Sequence, residues 1–281
     1  VNRILRLYPE YFIVAIVTLI VMLTHPQIGE FHPAYRVNIS IFDILGNVLL
    51  FPFCFYSPEF RIVPPTWSVG VEIVNYFILW LLVARRRTNA IVIFLLSSIY
   101  HVTMLAINAD WTRRYGPFYA ALLPFSIGSI IYFSRSFILK KLHTTWILVF
   151  VLSFVAWILN VFLFPQISFF KNHSLGILYY LNILFFSIVL SSLIVEQNIR
   201  PVSRCLTLLG DLSYPIFLSH WLFGFLVWNY IFNKKIEVAY NLGYAIFPIL
   251  LFSIIISTVN NLVFKKIRTN IRNAVALRSR A

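Results

Sequence analysis

Long apolar runs, cut by short polar or basic loops, set what this chain can become. Nine such runs are read at residues 11–23, 39–56, 66–84, 90–109, 116–133, 146–164, 175–195, 212–231 and 242–264. A stretch of about 18 or more apolar residues is long enough to cross the hydrocarbon core as a helix. With 60% of residues hydrophobic and 11% charged, a soluble fold could not hide the apolar surface. No period-two alternation suggests an outer-membrane barrel. The expected fold is all-α, a polytopic integral membrane helix bundle.

The formal charge of +14 does not indicate nucleic acid. The basic residues sit in short loops and in a tail carrying Lys265, Lys266, Arg268, Arg272, Arg278 and Arg280, as expected for cytoplasmic anchoring. The other basic segments are Arg3 with Arg6, Arg85 to Arg87, and residues 135–143. Were all nine runs to cross, Arg3 and the triple-arginine loop would fall on opposite faces. If residues 39–56 do not cross, every basic segment becomes cytoplasmic. That run holds Asp43, Gly46, Asn47 and Pro52, which suits a re-entrant or broken segment covered by protein or water. The topology expected is thus about eight crossings plus one re-entrant segment, with the tail cytoplasmic.

Within this apolar frame a few polar residues stand out. Thr66-Trp67-Ser68-Val69-Gly70-Val71-Glu72 opens one run, and no further charge follows until Arg85. A carboxylate near hydrocarbon is costly unless paired or wetted, which makes Glu72 a functional candidate. Ser68, Glu72 and Tyr76 recur every four residues with Asn75 beside them, a polar stripe expected to face other helices. The second stretch is Gly210-Asp211-Leu212-Ser213-Tyr214-Pro215, continuing to Ser219 and His220. Asp211 and Ser213 read as caps and Pro215 as first-turn, which places His220 inside the span. An imidazole there either bonds a neighbouring helix or works as acid, base or ligand holder. Arg3, Arg6 and Glu10 are spaced to line one face of the first helix, with Pro9 in its first turn. The arginines serve either topology or an anionic group such as a phosphate. Asp43 and Asn47 form a polar patch, for structural hydrogen bonding or for lining a substrate path. His25, His32, His101, His143 and His173 are scattered, and neither they nor Cys54 and Cys205 show metal-ligand spacing. Among functions read from residues alone, a transporter or flippase for a lipid-linked sugar suits a buried Glu, a buried His and a re-entrant segment.

Three motifs in order resemble the acyltransferase-3 membrane family. Asn2-Arg3-Ile4-Leu5-Arg6-Leu7-Tyr8-Pro9 resembles its "RRxxRIxPxY" stretch. Thr66 to Glu72 resembles its "TWSLxxE", with Val69 for the usual Leu. Gly210 to His220 resembles its "LGxxSYxxYLxH", with Phe217 for the usual Tyr. The resemblance spans nearly the whole of residues 1–281 as one membrane domain. It implies a ten-helix bundle, commonly in the bacterial inner membrane. It also implies transfer of an acyl group, most often acetyl, from a coenzyme A thioester to a hydroxyl of a cell-surface carbohydrate such as lipopolysaccharide. Acyl-CoA, membrane lipid and the carbohydrate are the implied partners, with no bound cofactor or metal. Carried over by motif, Arg3 and Arg6 belong to the donor side, Glu72 and His220 to the reacting centre in supporting roles, and Trp67, Ser68, Ser213 and Tyr214 to the acceptor site or its framework. The family's catalytic histidine follows a basic residue in its first helix, and the present sequence starts after that point, at Val1. The expectation is that two family helices precede Val1, that residues 1–281 alone are inactive, and that a non-catalytic remnant is the alternative.

Overall fold

The computed structural model of the chain describes residues 4–35, 39–55, 60–163, 174–199, 204–234 and 243–278. Regular structure within them is helical. In order come α1 (Ile4–Thr24), the one-turn α2 (Ile28–Phe31), α3 (Ile41–Leu49), α4 (Thr66–Leu81), α5 (Arg87–Ala106), α6 (Trp111–Tyr115), α7 (Phe118–Phe133), α8 (Arg135–Leu142), α9 (Trp146–Leu163), α10 (Ser174–Ile199), α11 (Arg204–Tyr230) and α12 (Ile246–Arg278). They form two compact units, one of Val1–Val69 with Ser203–Ala281 and one of Gly70–Val202. Helix α4 starts in the first and continues into the second.

In the first unit α1, α11 and α12 pack together. Each buries a stripe at the spacing of one helix face. On α1 it is Tyr11, Val14, Ala15 and Thr18; on α11 Leu218, Leu222 and Phe225; on α12 Ser253, Ile256, Ser257 and Asn260. The opposite side of α1 exposes Phe12, Ile16, Ile20 and Leu23, an apolar row that only lipid suits. Glu10 is 4% exposed, and Asn260 of α12 donates to its Oε1 at 2.5 Å. Hydrogen bonds of this kind join helices where no water competes.

Residues 39–55 are broken as expected. Ser40 caps α3 in a reciprocal box with Asp43. After nine helical residues the helix stops at the buried Leu50, whose φ of 61° no α-helix accepts, and a 3-10 turn, Phe51–Cys54, follows. A helix this short cannot span a bilayer.

In the second unit α5 packs on α7 and α9 on α10. Polar ties join helices of this unit. Asn75 of α4 donates to the Phe118 carbonyl at 3.0 Å, and Asn160 of α9 donates to Asn182 of α10 at 2.9 Å. His101 of α5 donates from Nε2 to the Ala120 carbonyl and meets the Tyr180 hydroxyl through Nδ1, both at 2.9 Å. That ring is a satisfied helix tie.

Five helices among the described residues are long and apolar enough to cross a membrane, at Leu7–Thr24, Thr66–Arg85, Arg87–Ala106, Leu178–Glu196 and Ile246–Phe264. A sixth is gained if α7 and α8, bent by 69° at Ser134, count as one broken span. The expected eight are not reached, for local reasons. The described apolar stretch of α9 ends at Asn160. Helix α11 is long, but Ser213, Tyr214, Pro215, Ser219 and His220 dilute its apolar character. It also begins at Arg204, so Asp211 and Ser213 lie within it rather than capping it, and Ser213 Oγ donates back to the Gly210 carbonyl at 2.9 Å. Pro215 is interior, as is Pro9 in α1. Each lacks the N–H that would bond four residues back.

Candidate functional site

The Thr66–Glu72 motif begins where a loop of bends and turns passes into α4. Thr66 Oγ1 donates to the Val63 carbonyl at 2.7 Å and Ser68 Oγ to the Pro65 carbonyl at 2.9 Å. Both hydroxyls thus fix the helix start, and Trp67 lies half-buried between them. Further along, Glu72 is half-buried, Asn75 fully buried, and Tyr76 sets its ring edge-on to Phe125 of α7 at 5.6 Å. The polar stripe therefore turns into protein at Asn75 and Tyr76, while Phe77 and Trp80 stay exposed.

Asn47 organises the loop before α4. Its Oδ1 accepts from the Ile62 N–H at 2.8 Å, and its Nδ2 donates to the carbonyls of Phe60 at 3.3 Å and Asp43 at 2.8 Å. The Tyr11 hydroxyl of α1 donates to the Asn47 carbonyl at 2.5 Å. One buried amide thus pins residues 60–62 to α3 and, through Tyr11, to α1. The residue held between its two partners is Arg61, whose N–H donates to the Ala34 carbonyl at 2.9 Å.

That last bond reaches a segment whose role is not visible in the sequence. After α1 the chain doubles back along α11. His25 meets Tyr230, and Glu30 pairs with Lys234 at 2.7 Å. Phe31 packs on Trp228, Phe225 and Trp221, and His32 sets its ring against Trp221 at 4.4 Å. From Tyr230 to Trp221 is about 14 Å along the helix at 1.5 Å per residue. His220 adjoins the same indole, its ring 5.4 Å from Trp221. His32, Arg61, His220 and Trp221 therefore gather in the first unit, with Arg61 and His220 close enough to act electrostatically on His32.

Hydrogen bonds set how the two imidazoles carry their protons. A backbone N–H can only donate, so the Ala34 N–H, 3.0 Å from His32 Nδ1, leaves that nitrogen unprotonated. The neutral ring then carries its proton on Nε2. A carbonyl can only accept, so His220 Nδ1, 2.7 Å from the Phe217 carbonyl, carries the proton and leaves Nε2 with a lone pair. The two rings beside Trp221 are in opposite tautomers.

His32 lies outside the membrane spans. Burial first, then the Arg61 and His220 charges, lowers its pKa to about 4 from an ordinary 6.5. The sign of the pH dependence follows. Between about 6.5 and about 4 the unfolded imidazole is protonated and the folded one is not, so the unfolded state binds more protons. Stability contributed by His32 is therefore intact above about 6.5 and falls as the pH drops toward about 4. Thermal midpoints in detergent should decline across this window, and His32→Phe should flatten that decline; an unchanged slope would contradict the shift.

Of the residues singled out from the sequence, Ser213 (exposed), Tyr214 (half-buried) and His220 share α11, and Trp67 with Ser68 stands at the start of α4 in the same unit. Glu72 falls in the second unit with Asn75 and Tyr76. Arg3 lies outside the described residues, as does the side chain of Arg6 on the first turn of α1. Asp43 and Asn47 have the structural hydrogen bonds given above. His32 and Arg61 were not singled out, and no spacing rule links a loop histidine to a helix so distant in sequence.

Helices with exposed apolar faces, joined by polar ties, define a membrane-embedded helical protein. A family model described as an acyltransferase domain matches residues 1–260. The chain therefore belongs to the acyltransferase-3 family, a membrane-bound acyltransferase class. No curated protein and no solved structure matches it significantly.

Proposed function

We propose that the protein transfers an acyl group, commonly acetyl, from a coenzyme A thioester to a hydroxyl of a cell-surface carbohydrate. The observation that carries the reading is the family match through 1–260, which includes both the Thr66–Glu72 and the Gly210–His220 motifs. The wiring of His220 supports it, because Nε2 presents a lone pair within the cluster. In the proposed step that lone pair orients or receives the acceptor hydroxyl proton. The hydroxyl oxygen adds to the thioester carbonyl carbon, the tetrahedral intermediate collapses, and the C–S bond breaks. The thiolate leaves as coenzyme A after taking up the proton released by the hydroxyl. Arg3 and Arg6 are assigned to the donor phosphates. Glu72, Trp67, Ser68, Ser213 and Tyr214 are assigned to holding the acceptor or framing its site. The protein is assigned to a bacterial inner membrane, with the basic tail cytoplasmic.

The test is transfer of radiolabelled acetyl from acetyl-CoA to extracted polysaccharide by protein in lipid nanodiscs. It is run on residues 1–281 and on the same residues with any in-frame preceding sequence. Turnover by 1–281 alone places the base within it. Turnover only with the longer form assigns the base to the preceding sequence and leaves His220 orienting the acceptor. Glu72→Ala should lower turnover about tenfold or more in the active form, in keeping with lost positioning. No transfer by either form would refute the reading, and undiminished transfer by Glu72→Ala would remove that residue from the site.

A further inference from the structure

The His32 side of the cluster has chemistry that the motif residues do not account for. Its Nδ1 is held by the Ala34 N–H, so its proton stands on Nε2. Among the described residues nothing accepts a hydrogen bond from that Nε2. Around it the scaffold is fixed in several directions. The Ala34 carbonyl is bonded to Arg61, Asn47 clamps Phe60 and Ile62 on either side of Arg61, and Phe31 and Tyr35 are buried with Phe225 and Trp228. A ring that served only to fill space against Trp221 would need neither the Ala34 bond nor a guanidinium nearby. Burial first, and then the Arg61 charge, oppose a second proton on the ring, so His32 is a neutral donor rather than a cation. A neutral imidazole pinned by a backbone N–H and donating from its far nitrogen is well suited to polarise a carbonyl. The other ring beside Trp221 has the complementary wiring, with a lone pair on Nε2.

We propose that His32 Nε2–H, aided by the Arg61 guanidinium, holds the acyl carbonyl oxygen of the donor and stabilises the oxyanion formed during transfer. The proposal rests on the acyl-transfer reading. As the acceptor oxygen bonds to the carbonyl carbon, the C=O electron pair moves onto oxygen, and the two donors meet the negative charge. When the carbonyl re-forms, the pair returns and the thiolate is expelled. His32 keeps its proton throughout, while the hydroxyl proton ends on the thiol. Donors fixed in advance and shielded from water are effective here because they need no reorganisation as charge develops.

The test uses a ketone analogue of acetyl-CoA that cannot be cleaved, labelled with carbon-13 at its carbonyl. It is added to the turnover-competent form in nanodiscs, with wild type, His32→Phe and His32→Gln compared. Phe keeps a ring against Trp221 without a donor, and Gln restores an N–H near the Nε2 position. The carbonyl resonance should move downfield on binding to wild type, return toward its free position in His32→Phe, and recover in His32→Gln. In the turnover assay kcat should fall about 100-fold or more in His32→Phe with KM for acetyl-CoA little changed, the usual size for loss of one oxyanion donor. Binding of the ketone without a His32-dependent shift would overturn this proposal and leave acyl transfer standing. Absence of ketone binding by wild type would overturn both. Nitrogen-15 spectra placing the neutral His32 proton on Nδ1 would also overturn it, whatever the activity.

Discussion

His220→Gln should lower acyl transfer by about 100- to 1000-fold, or about 3–4 kcal/mol at the barrier. Glutamine places an amide nitrogen near the position of Nε2. That nitrogen donates and cannot accept, so the one feature set by the Phe217 bond, the lone pair on Nε2, is lost. Steric change is small and the apolar neighbours on α11 are untouched. The fall should appear in kcat rather than in KM for the donor, because the lost contact is to the acceptor hydroxyl as it gives up its proton. A companion variant separates base from bystander. His220→Gly should recover part of the rate when imidazole is added to the assay, and the recovery should grow with the concentration of neutral imidazole. Normal turnover by His220→Gln would end the assignment. A rate lost equally with and without imidazole would make His220 a positioning residue.

Asn47→Leu should destabilise the folded protein by about 2–4 kcal/mol. Leucine is close to asparagine in size, so packing changes little. The half-buried Ile62 N–H loses its acceptor, and the carbonyls of Phe60 and Asp43 lose a donor. An unmet buried polar group costs about 1–3 kcal/mol, and the Ile62 N–H has no intrahelical alternative. Unfolding in mixed micelles by added SDS measures the difference. Asn47→Asp should cost less, since it keeps the acceptor for Ile62. The damage should also travel: Arg61 sits between the two clamped residues, so the nitrogen-15 signals of His32 should shift in Asn47→Leu. Stability within about 0.5 kcal/mol of wild type would show that Asn47 is not a clamp.

What could be read in advance follows from which interactions are local. Helix periodicity and loop charge depend on neighbours within a turn or two, so the helical membrane architecture and the broken segment at 39–55 were legible. So was the buried character of Asn75, which lies on the expected stripe. The start of α11 was misjudged because Gly210, Asp211 and Ser213 have local cap chemistry. The helix nonetheless runs through them from Arg204. The number of spans was overcounted where polar residues or a sharp bend interrupt an apolar run, as at His220 and Ser134. The site was legible only on its motif side. His220 stood out as an imidazole in an apolar run. His32 and Arg61 acquire meaning only when two loops are stitched by the Arg61–Ala34 bond and folded onto Trp221. The bond from Asn260 to Glu10 likewise joins residues that no local spacing connects.

That Glu10–Asn260 bond sets a clock on assembly. Its partners are 250 residues apart, and the unit containing them is built from residues 1–69 and 203–281, with 70–202 made in between. At about 5–20 residues per second a ribosome needs about 12 to 50 s to travel from one partner to the other. The intervening unit is contiguous and can finish first. Helix α1 must wait in the bilayer, its carboxylate without the amide that later meets it, until α12 is inserted. A nascent chain stalled before Asn260 would thus be complete in its middle and unfinished at its beginning.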